Sequence, residues 1–220
     1  MDAKPIRILI ADDHELMRSG VRELVSAQPN WEICFEAASG RDAVALARDG
    51  QPDVAILDLT MPGLNGLDAA RQIRKNSPQT KILIFTMHEN EELVRDVFRV
   101  GAHGYVLKSD ASTHLVAAVK TILEGRHYCT GKLGEWIFQG FLRAASGEPL
   151  PAALEDSLTP REREIVQLLS EGQGNKQVAV ALGISVKTVE THRATIMRKL
   201  QLNAFSDLVR YAIRNHIIDA

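Results

Sequence analysis

The stretch Val54-Ala55-Ile56-Leu57-Asp58-Leu59-Thr60-Met61-Pro62-Gly63 is an apolar run that ends on a carboxylate and then enters a turn. Other apolar runs among residues 1–125 also end beside polar side chains. These are Ile6–Ala11 before Asp12-Asp13, Ile82–Phe85 before Thr86, and Gly104–Leu107 before Lys108, while a further run covers Ile33–Ala37. Repetition of this pattern predicts that the polar side chains meet at one edge of a sheet.

Amphipathic segments separate the apolar runs. They are Glu15–Ala27, Gly40–Arg48, Gly66–Lys75, Glu91–Val100 and Ser112–Leu123. In the last of these, the apolar residues recur at helical spacing and fall on one face. Strands that alternate with helices across short links predict a doubly wound α/β fold, with five parallel strands covered by helices on both faces.

Composition indicates an ordinary globular protein, because 45% of its 220 residues are hydrophobic and 25% are charged. No apolar run approaches the length of a membrane span, and residues 1–5 lack the apolar core of a signal peptide. Cys34 and Cys129 stand far apart without metal-ligand spacing, so we expect free thiols. Together these features predict a cytoplasmic protein that does not contact the membrane.

The second half of the chain changes character. Residues 126–154 are rich in glycine and proline and predict a linker, in which Trp136–Leu142 is compatible with a short helix. Residues 155–220 read as helical, beginning with the capping sequence Thr159-Pro160-Arg161-Glu162. Asn175 is expected to cap a helix over Lys176–Leu182, and Ser185 to cap a second helix over Val186–Leu200. Two helices joined at Gly183 predict a helix-turn-helix.

The polar strand ends suit phosphoryl chemistry. An aspartate such as Asp58 can take a phosphoryl group as an acyl phosphate, and a divalent cation is needed to neutralise the converging charges. Magnesium prefers oxygen ligands, which Asp13, Asp58 and a backbone carbonyl just past Asp58, that of Thr60, would supply, with Asp12 holding a metal-bound water. Lys108 would pair with a phosphoryl oxygen.

The first 125 residues resemble the receiver domain of bacterial two-component response regulators, on Asp12-Asp13, Asp58, Met61-Pro62-Gly63, Thr86, Tyr105 and Lys108. The resemblance implies the flavodoxin-like strand order 2-1-3-4-5. It also implies that Asp58 takes phosphate from a sensor histidine kinase. Thr86 and Tyr105 would then switch together, and Thr60 and His88 would tune reaction rates. Many receivers have proline after the lysine, whereas Ser109 stands here, so the sequence leaves the Lys108–Ser109 peptide bond open between cis and trans.

The helix over Val186–Leu200 has a face suited to the DNA major groove. Val189, Ile196 and Leu200 lie on its packing face, and the opposite face is polar. The predicted DNA-contacting residues are Lys176, Lys187, Thr188, Glu190, Thr191, His192, Arg193, Ala194, Arg198 and Lys199. Among residues 158–217, nine Lys and Arg stand against five Asp and Glu, which favours a polyanionic partner.

Residues 155–218 resemble the LuxR-type helix-turn-helix, so the whole chain resembles the NarL/FixJ family of response regulators. The resemblance implies binding to double-stranded DNA as a phosphorylated homodimer and allows contact with RNA polymerase. It places the dimer contact on the last helix, at Val209, Ala212, Ile213 and His216. These residues fit equally well as the closing face of the domain core.

Three other functions compete with a phosphorylation-gated transcription factor. A phosphatase of the haloacid dehalogenase kind would carry a second acid two residues after Asp58, where Thr60 stands, so we do not expect a turnover enzyme. A DNA-binding protein with a vestigial receiver is disfavoured because all the pocket residues are present. A flavodoxin-like cofactor protein is disfavoured because Asp12-Asp13, and no glycine-rich loop, follows the first strand.

Overall fold

The computed structural model of this protein describes residues 4–89, 91–131 and 158–218. The chain divides into two compact units, Met1–Gln139 and Gly140–Ala220. The short helix predicted within Trp136–Leu142 lies outside the described residues. Within them, no helix is both long enough and apolar enough to cross a bilayer.

A parallel sheet forms the centre of the first unit. Its strands are β1 (Ile6–Ala11), β2 (Trp31–Ala37), β3 (Val54–Asp58), β4 (Lys81–Thr86), β5 (Gly104–Leu107) and β6 (Tyr128–Cys129). They lie in the order β2-β1-β3-β4-β5-β6, and each neighbouring pair is parallel. The predicted order 2-1-3-4-5 is therefore confirmed, but the prediction of five strands was one strand short. Residues predicted as linker supply β6, which is too short to show an alternating pattern in the sequence.

Helices cover both faces of this sheet: α1 (Glu15–Ser26), α2 (Gly40–Gly50), α3 (Gly66–Asn76), α4 (Glu91–Arg99) and α5 (Ala111–Leu123). Every side chain of β3 is buried, as expected for a central parallel strand. Ala55 and Leu57 belong to the core on one face, while Val54 and Ile56 belong to the core on the other. Because side chains alternate along a strand, β3 is fixed by two cores at once.

Close packing brings the start of α3 against the end of β3. A Cβ atom at Gly66 would lie 2.0 Å from the carbonyl oxygen of Asp58, so only glycine fits there. The backbone N–H of Gly66 donates to the carbonyl of Leu59 at 2.7 Å, and Asn65 caps α3 by accepting from the N–H of Asp68 at 2.9 Å. These contacts fix the turn that follows Asp58.

The second unit contains α6 (Pro160–Ser170), α7 (Asn175–Leu182), α8 (Val186–Lys199) and α9 (Phe205–Arg214) around an apolar core. Thr159 and Glu162 form the predicted capping box, in which the Thr159 N–H donates to Glu162 Oε2 at 2.8 Å. Ser185 caps α8 as predicted. The predicted cap at Asn175 was wrong by one residue. Gly174 occupies the cap position, because the side chain of Gln177 reaches back to accept from its N–H at 2.8 Å.

Candidate phosphoacceptor site and DNA-binding surface

Four polar residues meet at the carboxyl edge of the sheet. Asp12 follows β1, Asp58 ends β3, Thr86 ends β4 and Lys108 follows β5. The ammonium nitrogen of Lys108 lies 2.8 Å from Asp12 Oδ2 and 3.0 Å from Asp58 Oδ2, and all three side chains are at most 5% exposed. The structure therefore builds a buried pocket from residues that are up to 96 positions apart in the sequence.

Asp13 and His14 form the open side of this pocket. Potential ligand atoms of Asp12, Asp13, His14 and Asp58 all lie within 4.8 Å of one another. The His14 ring lies 3.0 Å from Asp13 Oδ1, and its backbone N–H donates to Asp12 Oδ1 at 2.9 Å. Sequence reasoning missed His14. Its position directly after two acids and before α1 is the signal that would have found it.

The pocket fits a hard divalent cation. Asp12 Oδ2 is buried and lies 2.8 Å from Lys108 Nζ, and Asp12 Oδ1 accepts from the His14 N–H. Three carboxylates face one ammonium, and an oxygen-rich set of ligands is what magnesium prefers. The Leu59 carbonyl is occupied by Gly66, so the Thr60 carbonyl is the next along the chain.

Burial and charge shift the titration of this pocket. Burial, aided by the charge of Asp12, raises the pKa of Asp58 to about 6, while Lys108 opposes the shift. Burial alone would lower the pKa of Lys108, but the carboxylates of Asp58 and Asp12 outweigh it and raise that pKa. The pocket thus keeps its ammonium charged and holds an excess of negative charge that a cation would relieve.

The backbone of His88 connects the two predicted switch residues. The hydroxyl oxygen of Thr86 accepts from the His88 N–H at 3.2 Å, and the Tyr105 hydroxyl donates to the His88 carbonyl. Thr86 and Tyr105 are fully buried. Burial, with the charge of Glu89, raises the pKa of Tyr105 above its usual value, so the phenol stays protonated as a donor. Thr60 and the side chain of His88 are half-buried near this edge.

The Lys108–Ser109 peptide bond is trans. A 3₁₀ turn over Lys108–Asp110 follows β5 and leads directly into α5. The question that Ser109 left open in the sequence is thereby answered, and Lys108 still reaches both carboxylates.

The recognition helix α8 presents most of its predicted contact residues to solvent. Val189 and Ile196 are buried as predicted, while Lys187, Thr188, Glu190, Thr191, Ala194 and Arg198 are exposed, as is Lys176 at the start of α7. The hydroxyls of Thr188 and Thr191 already bond within the helix start, to Ser185 Oγ at 2.8 Å and to the Lys187 carbonyl at 2.9 Å. His192 is half-buried.

A cleft borders one flank of α8. It has a volume of about 730 Å³ and is lined by the loop between α6 and α7, by Glu190 and Arg193, and by Phe205 at the start of α9. The guanidinium of Arg193 lies over the Phe205 ring at 5.4 Å, within cation–π range. Sequence reasoning missed Phe205, which is 40% exposed. An aromatic residue at a helix start gave no signal that separated surface from core.

Lys199 is exposed, but its ammonium is engaged within the unit, and its role as a DNA contact stays a prediction. Its ammonium lies 2.8 Å and 2.7 Å from the two carboxylate oxygens of Glu162 on α6. The pair joins the end of the recognition helix to the capped start of α6. Glu162 is buried, so Lys199 neutralises a carboxylate that water barely reaches.

The four residues predicted to form the dimer contact differ in burial and in position. Ala212 is fully buried in the core of the second unit, so it cannot serve a dimer contact. His216 lies beyond the end of α9, at a positive φ of 51°, so it is not on the predicted helix face. Val209 and Ile213 remain half-exposed on α9.

Comparison with known proteins gives consistent matches for both units. A sequence family described as "Response regulator receiver domain" matches residues 8–120, and one described as "Bacterial regulatory proteins, luxR family" matches residues 156–212. The oxygen regulatory protein NreC of Staphylococcus epidermidis is 38% identical over 217 residues, which cover 97% of this chain and 100% of that protein.

Solved structures agree with these matches. A LuxR-family two-component response regulator from Aurantimonas sp. SI85-9A1 is 37% identical with a TM-score of 0.60, covering 63% of this chain and 99% of that one. RcsB from Salmonella enterica serovar Typhimurium is 24% identical with a TM-score of 0.59, covering 94% of this chain and 98% of that one, and is similar in fold.

Proposed function

We propose that this chain, which belongs to the response regulators that join a receiver domain to a LuxR-type DNA-binding domain, regulates transcription through phosphorylation of Asp58. The observation that carries the proposal is the buried bridge of Lys108 between Asp12 and Asp58. It places one nucleophilic carboxylate beside an ammonium and further acids at a sheet edge where such folds bind ligands.

In the proposed reaction, a carboxylate oxygen of Asp58 attacks the phosphorus of a phosphohistidine on a sensor histidine kinase. The O–P bond forms as the P–N bond breaks, and the imidazole nitrogen takes the electron pair. Asp13, Asp58 and the Thr60 carbonyl would hold Mg²⁺, with Asp12 on a bound water. When bound, this ion supplies charge neutralisation for the phosphoryl group. Lys108 moves from the carboxylates to a phosphoryl oxygen, where its charge stabilises the product.

Phosphorylation would shift a two-state equilibrium around His88. Thr86 Oγ1 now accepts from the His88 N–H, and this bond must break if the hydroxyl turns to the phosphate. The Tyr105 hydroxyl is attached to the same residue through the His88 carbonyl. A change at Thr86 therefore reaches Tyr105 through the backbone of one residue, and the phosphate favours one of two packed arrangements. Thr60 and His88 would set the lifetime of the phosphate. No second acid stands at Thr60, so the protein would not turn over substrate.

The second unit would read DNA through α8. We assign Glu190, Thr191 and Ala194, with Lys187 and Thr188, to the major groove, and Lys176, His192, Arg193 and Arg198 to phosphates. Val209 and Ile213 would take part in a homodimer on paired half-sites, and RNA polymerase would be contacted at promoters. The protein would work in the cytoplasm with its kinase.

The test compares the full chain with Asp58→Asn. With acetyl phosphate and Mg²⁺, intact-mass measurement should show one phosphoryl adduct on the wild type and none on the variant. Beryllofluoride should raise the affinity of the wild type for its operator by about tenfold, a usual size for coupling between sites, and leave the variant unchanged. Asp49→Asn, at an exposed acid on α2, is the matched control and should behave as wild type. The proposal would be contradicted if Asp58→Asn were labelled as strongly as the wild type, or if beryllofluoride left the operator affinity of the wild type unchanged.

A further inference from the structure

The additional strand β6 lies against the strand that carries the switch residue. β6 pairs with β5 in parallel, with Tyr105 opposite Cys129. The N–H of Tyr128 donates to the His103 carbonyl at 3.1 Å, and the N–H of Thr130 donates to the Tyr105 carbonyl at 3.1 Å. The matched receiver family ends at residue 120, so this strand lies beyond it.

Thr130 continues the pairing with its side chain. The N–H of Leu107 donates to Thr130 Oγ1 at 2.9 Å, and this buried bond lies one residue before Lys108. Thr130 is only 6% exposed. A backbone N–H at this depth needs a partner, and the Thr130 hydroxyl provides it where the ladder of β6 has ended. Any shift of β5 that accompanies a new partner for Lys108 must therefore act on Thr130.

Gly131 touches the loop that follows Thr86. A Cβ atom at Gly131 would lie 2.6 Å from Glu89 Oε1, so this glycine leaves room for the side chain of the β4–α4 loop. The same loop holds His88, whose backbone joins Thr86 to Tyr105. The end of the β6 segment is thus in contact with both parts of the switch, β5 and the loop.

The start of the segment is anchored elsewhere. The Tyr128 hydroxyl lies 2.7 Å from His114 Nδ1 on α5. A strand of two residues is marginally stable alone, so its pairing can change at a small expense in free energy. Residues 128–131 therefore have a fixed end at α5 and an end held by groups that the switch would move.

We propose that Tyr128–Gly131 is a coupling strand, which carries the state of the phosphoacceptor pocket into the chain that leads to the DNA-binding unit. The inference rests on the proposed function and adds the route of regulation. Thr130 is a positioning residue that acts through Leu107, and Gly131 senses the loop through Glu89. Phosphate at Asp58 changes the pairing of this strand with β5.

The experiment measures two quantities on full-length variants: phosphoryl labelling by acetyl phosphate, and the gain in operator affinity on adding beryllofluoride. Thr130→Val replaces the accepting hydroxyl by a methyl group of similar size and leaves the Leu107 N–H without that partner. In this variant the gain in operator affinity on adding beryllofluoride should be about fivefold smaller, as expected for the loss of one hydrogen bond. Phosphoryl labelling should stay within about twofold of the wild type. Thr130→Ser keeps the acceptor and should restore the gain. Thr113→Val, at an exposed threonine of α5, is the control.

A second pair of variants tests the loop contact independently. Gly131→Ala should lower the gain in operator affinity for two reasons: its Cβ meets Glu89 Oε1, and the backbone φ of +79° strains any side chain at this position. Glu89→Ala in that background should recover the part of the gain that the contact removes, and not the part that the strain removes. The coupling strand would be overturned, with the proposed function still standing, by either of two results. Thr130→Val could show the same gain in operator affinity as the wild type, or its phosphoryl labelling could fall by the same factor as its gain in affinity. Absence of any gain in the wild type would instead overturn the proposed function.

Discussion

The phosphoacceptor pocket and the recognition helix hold their charges in opposite ways. In the pocket, Lys108 lies within 3.0 Å of Asp12 and Asp58, and all three side chains are nearly inaccessible to water. On α8, Lys187, Glu190 and Arg198 are exposed. In the pocket, each charge already has a partner within the fold. On the predicted DNA-binding surface, the exposed charges would gain their partners only when DNA binds. Burial, and not the sign or number of charges, should therefore decide which substitutions affect folding.

Removing the buried ammonium should have the largest effect. Lys108→Met leaves two carboxylates buried without their cation, and we expect the first unit to lose about 3 kcal/mol of stability at pH 7 without Mg²⁺. The loss should be partly recovered by Mg²⁺, because a ligand that binds the folded form stabilises it by mass action. Urea unfolding with and without the ion measures both effects.

Lys120→Met provides the matched control, since that lysine is exposed on α5. It should change stability by less than about 0.5 kcal/mol. Adding Asp58→Asn to Lys108→Met should recover stability, because it removes one of the two repelling acids. If Lys108→Met and Lys120→Met had equal effects, burial would not be the property that separates the two surfaces.

The comparison can also be tested within the DNA-binding unit, where Glu162 and Lys199 form a pair that is buried on the glutamate side. Glu162→Gln keeps an oxygen for the capping box but loses the charge, so we expect a loss of about 2 kcal/mol from the second unit. Hydrogen exchange of α6 and α8 amides measures this loss. Glu190→Gln, on the exposed face of α8, should leave that exchange unchanged.

The same pair predicts a pH dependence. Burial opposes ionisation of Glu162, but hydrogen bonds from Lys199 and Thr159 outweigh it and lower the pKa of Glu162 below its ordinary value of 4.5. A lowered folded-state pKa means that the stabilisation is present above pH 4.5 and is lost as the pH falls through the folded-state value. The second unit of Glu162→Gln should therefore lose less stability than wild type across that acidic range.

The sequence predicted the pocket better than the DNA-binding surface for a physical reason. Parallel strands end at one edge, so Asp12, Asp58 and Lys108 could be brought together by counting apolar runs alone. The ion pair of Lys199 was not predicted, because a helical face says nothing about which residue of another helix lies opposite, here Glu162. For the same reason the sequence did not decide that Ala212 is buried and gave no sign that Phe205 is exposed. Strand β6 was not predicted because two residues are too few to show an alternating apolar pattern, and because its stability comes from contacts with β5.

Two neighbouring basic residues at the end of α8 allow a paired charge and an exposed charge to be compared on the same helix. Arg198 is exposed, so Arg198→Ala should weaken operator binding by about 1 kcal/mol and lower the salt dependence by about one phosphate contact, with stability unchanged. Lys199→Ala should do the reverse, because its ammonium is held by Glu162: stability falls and the salt slope keeps its wild-type value. Titrations of operator DNA at several salt concentrations, with urea unfolding of the same samples, separate the two. If the salt dependence of binding falls equally in both variants, Lys199 must leave Glu162 and contact the DNA. The ion pair within the unit would then not decide which charges bind DNA.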